Sequence, residues 1–153
     1  MTYSFAQEGF SDCYDDLEPL YRAHYAEMCE RLTAAGQVCS PYNPRLDIYR
    51  ASEARGDLIT LVLRSDGEAV GYINVYVTND MHNMDRIAQE DTVFVRTDHR
   101  KGVGKKLVEF GLSELRRRGV KHLTVSAMTD LRVAKLWQRM GFKPLATQMI
   151  YTF

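Results

Sequence analysis

Apolar residues recur at helical spacing through the first third of the chain. A short apolar start, Thr2–Phe5, predicts a first strand, and the spacing then favours a helix from Ser11, its predicted N-cap, to Leu32. Gly36 and the prolines near it interrupt the pattern. A second, shorter helix is predicted after them and ends at Gly56.

The middle of the chain changes to the period of β-strands. Two β-rich runs, Leu58–Arg64 and Ala69–Val77, are joined by the turn sequence SDGE, which predicts a hairpin. A third strand is predicted in IAQEDTVFVR, which ends at Arg96.

The last third alternates between helix and strand. It predicts a helix at Val103–Arg118, a strand in KHLTVSAM, a helix from the N-cap Asp130 to Gly141, and a final strand in LATQMIYTF. The element order is about β-α-α-β-β-β-α-β-α-β. It predicts an α/β (α+β) fold with one mixed, mostly antiparallel sheet and helices on both faces, in which residues 1–153 form a single domain.

Composition narrows the possible partners. The 20 Lys+Arg and 20 Asp+Glu residues give a net charge of zero, which argues against nucleic acid and against an acidic membrane. No apolar run approaches the ~20 residues of a membrane span, and the N-terminal sequence lacks the features of a signal peptide, so we expect a cytoplasmic protein. The irregular cysteines predict free thiols rather than a disulfide frame or a metal site, at Cys13, Cys29 and Cys39.

A basic turn with two glycines separates the third strand from the next helix. In HRKGVGKK, Gly102 and Gly104 allow a backbone without Cβ atoms to approach a ligand closely. The helix that starts there adds free N–H groups and a positive dipole end. Basic residues flank the glycines, so the turn predicts an anion site, most naturally for a pyrophosphate.

Three other interpretations compete for this turn. A P-loop would need Gly in place of His99 and Ser or Thr in place of Lys106. A dinucleotide fingerprint would need Gly in place of Leu107. Both are rejected, whereas a tight turn before a solvated basic helix stays open on this motif alone.

A second motif, LWQRMGF, follows the turn after an intervening strand. The two motifs in this order resemble those of the GNAT superfamily of acyl-CoA-dependent N-acyltransferases, over roughly the last two thirds of the chain. The resemblance implies acetyl-CoA as cosubstrate, with its pantetheine arm paired to the third strand and its pyrophosphate in the turn. The implied positions are Val93, Phe94, Val95, His99, Arg100, Lys101, Gly102, Val103, Gly104 and Lys105.

The second motif departs from the family pattern. Asp130 and Trp137 stand where family members commonly carry Asn and Tyr. That Tyr often protonates the leaving thiolate, which an indole cannot do. Trp137 is therefore a contact to the CoA arm or a core aromatic residue.

Acyl transfer to an amine needs a base, and the third strand offers two carboxylates. Glu90 is the first candidate, because many family members place a Glu in this strand and burial would raise its pKa. Asp91 lies on the opposite strand face, so only one of the two should face the cleft. His82, in the preceding loop, is the other catalytic candidate. The alternative is that Glu90 and Asp91 are both ordinary charged residues at the end of a strand, with no part in catalysis.

The predicted function is transfer of the acetyl group from acetyl-CoA to a primary amine of a small molecule or protein. The departures at His99, Asp130 and Trp137 keep open a CoA-binding or regulatory module with weak or no catalysis. The acidic first helices suit a cationic acceptor, although a solvated helix face explains most of that acidity. Family members often form homodimers, which makes a homodimer through the final strand the candidate assembly.

Overall fold

The computed structural model describes residues 1–127 and 131–153. The strands of this part are β1 (Tyr3–Glu8), β2 (Leu58–Ser65), β3 (Glu68–Asn79), β4 (Arg86–Val95) and β5 (His122–Thr124). The helices are α1 (Phe10–Ala34), α2 (Leu46–Arg55), α3 (Val103–Arg117) and α4 (Leu131–Arg139). A short 3-10 helix, Thr97–His99, lies in the basic turn. None of the described helices is long and apolar enough to cross a membrane.

The strands form one sheet in the order β1-β2-β3-β4-β5. The first four strands are antiparallel to their neighbours, and β5 is parallel to β4. The β4–β5 ladder joins only Ile87–Gln89 to His122–Thr124. From Glu90 onward, this side of β4 has no strand partner in the described chain. We call Glu90–Val95 the open edge of β4.

Side chains alternate along each strand, so the sheet has two differently built faces. The aliphatic face lies under α3 and α4, and its buried residues include Ile59, Leu61, Leu63, Ile73, Val75, Leu107 and Trp137. The aromatic face lies under α1 and α2, and its buried residues include Phe10, Tyr21, Val62, Tyr72 and Phe94. The predicted fold class, with helices on both faces of a mostly antiparallel sheet, is confirmed.

Two local predictions are wrong. The structure places the N-cap of α1 at Gly9 instead of Ser11, because the buried ring of Phe10 extends the apolar stripe of the helix by one residue. The Ser11 backbone N–H instead donates to the Glu53 carboxylate on α2. The predicted final strand is absent: residues 145–153 form no strand, and their large apolar side chains are exposed. A strand needs a partner edge, and β5 offers only three residues.

The prediction of free thiols is also wrong for two of the three cysteines. Cys29 of α1 and Cys39 form a disulfide, and their Cα atoms lie 5.5 Å apart. It ties the connection between α1 and α2, which we call the 35–45 loop, to the end of α1. Cys13, the free thiol among the described residues, is buried, and burial raises its pKa to about 12.

Candidate active site

A bulge in β4 sets the direction of its carboxylates. Thr92 pairs with Asn74 of β3 and Glu90 pairs with Val75, which leaves Asp91 as the extra residue. An extra residue interrupts the alternation of side chains. Glu90 therefore lies toward the aliphatic face, whereas Asp91 and Thr92 both lie toward the aromatic face.

Glu90 lies where the β4–β5 ladder ends. Its carboxylate accepts hydrogen bonds from the Ser126 backbone N–H at 3.2 Å and hydroxyl at 3.3 Å. Burial raises the pKa of Glu90, and these two hydrogen bonds offset part of that rise. A recess of about 20 Å³ lies beside it against Val93 and Trp137, which is room for one water molecule. Glu90 is thus a largely buried carboxylate with a raised pKa beside room for one water molecule.

Trp137 holds the chain that follows β5. Its side chain is 6% exposed, and its indole N–H donates to the Ser126 carbonyl at 3.1 Å. The ring packs against Phe142 with centroids 5.1 Å apart. Trp137 is therefore a core residue of the aliphatic face that also fixes Ser126, the hydrogen-bond partner of Glu90. Its contact with a CoA arm stays a prediction.

Asp91 faces the other side of the sheet, toward α2. The Tyr49 hydroxyl donates to its carboxylate at 2.8 Å, and burial raises the pKa of Asp91. The neighbouring Thr92 hydroxyl is buried next to Asp91 and Tyr72, and its oxygen accepts no hydrogen bond in the described chain. Two hydrogen-bond acceptors therefore stand side by side, and one of them is unused.

A cavity of about 760 Å³, which we call the aromatic pocket, lies next to these residues. It is enclosed by α1, the 35–45 loop, α2 and the sheet. Its lining includes His24, Thr92 and six tyrosines, which are Tyr14, Tyr21, Tyr25, Tyr42, Tyr49 and Tyr72. Its size is that of a small-molecule site.

His24 supports one wall of the aromatic pocket as a neutral ring. Its Nδ1 lies 2.9 Å from the Tyr72 hydroxyl, and its ring stacks on Phe94 at 5.3 Å. Burial lowers the pKa of His24 to about 4. The imidazole is therefore uncharged at neutral pH and adds no cation to the pocket.

The basic turn leads from the open edge of β4 into α3. Gly102 has φ 86° and ψ −15°, a left-handed conformation that glycine adopts without strain. No side chain of the described residues caps α3, so its first N–H groups are free to bind an anion. A Cβ at Gly104 would meet only Val95 Cγ2 at 3.7 Å. Protein packing thus does not require glycine at position 104.

His99 is bound within the turn. Its side chain is 7% exposed. Arg96 donates to its Nε2 at 3.0 Å, which leaves Nδ1 to donate to the Tyr3 hydroxyl at 3.0 Å. A phosphate would have to replace one of these partners.

Arg100 is likewise engaged by protein groups. It donates to the Val95 carbonyl and to the Glu27 carboxylate of α1, both at 2.7 Å. In contrast, the side chain of Lys101 is exposed beside the N-terminus of α3, and that of Lys105 is exposed and lies 3.6 Å from the Glu109 carboxylate. The groups available to a pyrophosphate are therefore the backbone from Gly102 to Lys105 and these lysines.

The structure brings most predicted site residues together, with two exceptions. Val93, Phe94 and Val95 form the open edge, and the basic turn continues from its end. His82 lies in the exposed β3–β4 connection, at the opposite end of β4, where its backbone N–H donates to Asp80. Its catalytic role stays a prediction that the geometry does not support. Asp130 lies outside the described residues.

Sequence reasoning missed Tyr49 and Thr92 and left the direction of Asp91 open. The reason is the bulge in β4, which changes the face of the sheet toward which the residues before it point. Ala88 and Phe94 are six positions apart, yet they lie on opposite faces of the sheet. A regular strand would place them on one face. The order of residues in this segment fits either arrangement, so it carries no signal for the bulge.

Comparisons with solved structures define the fold class. A ribosomal-protein-alanine N-acetyltransferase from Brucella melitensis biovar Abortus 2308 is 20% identical, with a TM-score of 0.70 over 98% of this chain and 99% of that one. A GCN5-related N-acetyltransferase from Ralstonia eutropha JMP134 is 24% identical, with a TM-score of 0.73 over 99% of each chain. AAC(6')-Iy, solved with the bisubstrate analog CoA-S-monomethyl-acetylneamine, is 15% identical, with a TM-score of 0.69 over 100% and 99%. These likenesses show an N-acetyltransferase fold.

The family follows from the sequence profile. The profile of the acetyltransferase (GNAT) family matches residues 11–142. The chain therefore belongs to the GNAT family, and it is an acyltransferase. A comparison with curated proteins found no match.

Proposed function

We propose that the protein transfers the acetyl group of acetyl-CoA to a primary amine at the open edge of β4. The observation that carries this proposal is that the open edge of β4 and the N-terminus of α3 follow each other along the chain. The edge of β4 without a strand partner runs directly into the uncapped N-terminus of α3. An extended amide chain fits the first feature and a pyrophosphate fits the second, and CoA carries both groups in that order.

The cofactor contacts follow from this placement. The backbone of Val93–Val95 binds the pantetheine amides as an added strand, and one N–H of this segment polarises the acetyl carbonyl. The N–H groups from Gly102 to Lys105 bind the pyrophosphate, with Lys101 adding charge. Trp137 and the residues around it form the rigid wall behind the edge.

The reaction is a direct attack. The neutral amine nitrogen attacks the thioester carbon, the new C–N bond forms, and the C–S bond breaks with its electron pair on the thiolate. Glu90 takes the proton that the nitrogen loses, relayed by a water molecule, and the thiolate takes a proton from solvent. A carboxylate whose pKa is raised by burial is a stronger base than an exposed one.

The cofactor site is tested with two substitutions at one position. Gly104→Asp places a carboxylate among the free N–H groups, and the space around Gly104 admits the side chain. We expect calorimetry to show at least about a hundredfold loss of affinity for acetyl-CoA, from charge repulsion. Gly104→Ala, the matched control, should retain binding within about fivefold. Normal binding by the Asp variant would remove the turn from the site.

The transfer itself is tested by release of free CoA. Acetyl-CoA and the protein are incubated with and without a mixed panel of primary amines, and acetylated products are identified by mass spectrometry. Amine-dependent release with matching products supports the proposal. Tight CoA binding with no release for any amine would contradict it and favour the CoA-binding module instead.

A further inference from the structure

The lining of the aromatic pocket is unsuited to a polycation. No Asp or Glu is among the described residues that line it, and its charged side chain is Arg45. Arg45 is itself paired with Asp47 at 2.7 Å on the exposed rim. An amine with several ammonium groups, such as a polyamine or an aminoglycoside, would leave most of its charges unpaired in this cavity.

The walls instead suit a flat apolar body. Phe10 and Tyr49 stack with centroids 5.0 Å apart and a 12° angle between the rings, and Tyr14 and Tyr21 stack at 5.9 Å and 22°. Such near-parallel rings present flat and edge surfaces against which another aromatic ring packs well.

The pocket also has one polar end. Thr92 lines the pocket there, whereas Asp91, next to it on β4 at the open edge, is exposed and lies just outside the lining. Tyr49 orients the Asp91 carboxylate by a hydrogen bond of 2.8 Å. The buried Thr92 hydroxyl lies next to Asp91 and Tyr72 and can donate to them, but its oxygen accepts no hydrogen bond. A ligand with a donor would use this free acceptor. An ammonium has three N–H donors and satisfies both acceptors at once.

We infer that the acceptor is a primary monoamine on an aromatic body, which binds with its ring among the tyrosines of the aromatic pocket and its amine on Asp91 and Thr92. This inference rests on the proposed acetyl transfer. Asp91 binds the ammonium, Tyr49 is a positioning residue, and the ring packing supplies selection. The bound ammonium gives one proton to a water molecule before the neutral nitrogen attacks, and Glu90 receives the second proton after the C–N bond forms. The bound nitrogen then lies at the same edge of β4 that would hold the thioester.

The first test is binding without chemistry. The protein is saturated with CoA, and phenethylamine, spermidine and neamine are titrated in turn by calorimetry. We expect phenethylamine to bind at least about tenfold more tightly than either polycation. Tighter binding of spermidine or neamine, or no binding of phenethylamine, would overturn the inference. This readout does not depend on acetyl transfer.

The second test uses variants with matched changes. Asp91→Asn should weaken phenethylamine binding about tenfold, and Thr92→Val about threefold. Neither variant should change the affinity for CoA. Tyr49→Phe keeps the ring but removes the hydroxyl that donates to the Asp91 carboxylate. It should therefore shift the acid limb of the pH profile of kcat/KM. Lost packing alone would not produce this shift. The control is Asp15→Asn, an exposed carboxylate of α1, with no expected effect.

Turnover separates the two proposals. If phenethylamine binds but no amine is acetylated, the ligand preference of the aromatic pocket stands, whereas acetyl transfer, and with it the role of the ligand as acceptor, fails. If spermidine or neamine has a higher kcat/KM than phenethylamine, the acceptor class fails and acetyl transfer stands. The inference also fails if the Asp91→Asn and Thr92→Val variants bind phenethylamine as the wild type does.

Discussion

The two faces of the sheet use the same strands but pack differently. Under α3 and α4, branched aliphatic side chains interdigitate, and the recess found there holds only about 20 Å³. Under α1 and α2, tyrosine rings leave a cavity of about 760 Å³. Flexible aliphatic chains fill space closely, whereas rigid rings whose hydroxyls need partners do not. The first face gives α3 a fixed position, and the second leaves the cavity in which we propose that the acceptor binds.

This contrast predicts unequal costs for removing a side chain. Leu107 is fully buried on the aliphatic face. The substitution Leu107→Ala should lower the free energy of unfolding by about 3 kcal/mol, because the close packing cannot collapse around the cavity. Met28 lies in the wall of the aromatic pocket. The substitution Met28→Ala should lower the free energy of unfolding by only about 1 kcal/mol, because its neighbours already border a cavity. Urea denaturation measures both. Equal losses would contradict the contrast.

The two carboxylates of the bulge extend the comparison to kinetics. Glu90→Gln should lower kcat by about a hundredfold with the amine KM unchanged, whereas Asp91→Asn should mainly raise the amine KM. Because Glu90 must be ionised to accept a proton and burial raises its pKa above 4.5, wild-type kcat should fall as the pH drops through that raised value. Steady-state kinetics across pH gives these values. The assignment would be reversed if Asp91→Asn lowered kcat and Glu90→Gln raised KM.

His24 makes the aromatic face sensitive to acid. Its pKa is about 4 in the folded protein and 6.5 ordinarily, so the unfolded chain binds a proton first as the pH falls. The stabilising contribution is present above pH 6.5 and is lost progressively down to about pH 4, by about 3 kcal/mol. Glu90 and Asp91, whose pKa values are raised, act in the opposite direction.

The variant His24→Gln isolates this contribution. The difference in unfolding free energy between wild type and variant should shrink between pH 7 and pH 4.5, as measured by urea denaturation at both values. A difference that does not depend on pH would show that His24 is not held neutral by burial.

The disulfide should have the smallest effect. Ser40 and Tyr42 of the 35–45 loop line the aromatic pocket, and Cys39 anchors them to Cys29. The hydrogen bond from Tyr25 to the Ser40 carbonyl, at 2.6 Å, also holds this loop. The double variant Cys29→Ser, Cys39→Ser should therefore raise the acceptor KM only about threefold, with acetyl-CoA affinity unchanged. A reducing agent should affect the wild type and leave the double variant unaffected. A larger change in acetyl-CoA affinity than in KM would contradict this account.

Features fixed by neighbouring residues could be predicted from the sequence. The hairpin of β2 and β3 follows from its turn, and α3 follows from its apolar spacing and from Gly102, which the left-handed N-cap needs. The basic turn was identifiable for the same reason, since strand, glycines and helix are contiguous. These local signals also produced the resemblance that the family profile supports.

Features that depend on distant parts of the chain could not be predicted. The β4 bulge depends on registration against β3, and the Cys29–Cys39 pair depends on how the 35–45 loop returns to α1. The residues after Phe142 resemble a strand, yet they pair with no strand of the sheet. Tyr49 reaches Asp91 from another helix, 42 residues away in sequence. The shape of the aromatic pocket and its polar margin could therefore not be predicted from the sequence.

The central claim is that the open edge of β4 and the N-terminus of α3 together bind acetyl-CoA. The most direct measurement is the unfolding free energy in the presence of acetyl-CoA, CoA or ATP. At a hundredfold excess over Kd, a ligand bound only to the folded protein adds about 2.7 kcal/mol. The account predicts this gain with acetyl-CoA and with CoA, and no gain with ATP, which lacks the pantetheine arm. No gain with either CoA species, or an equal gain with ATP, would contradict it.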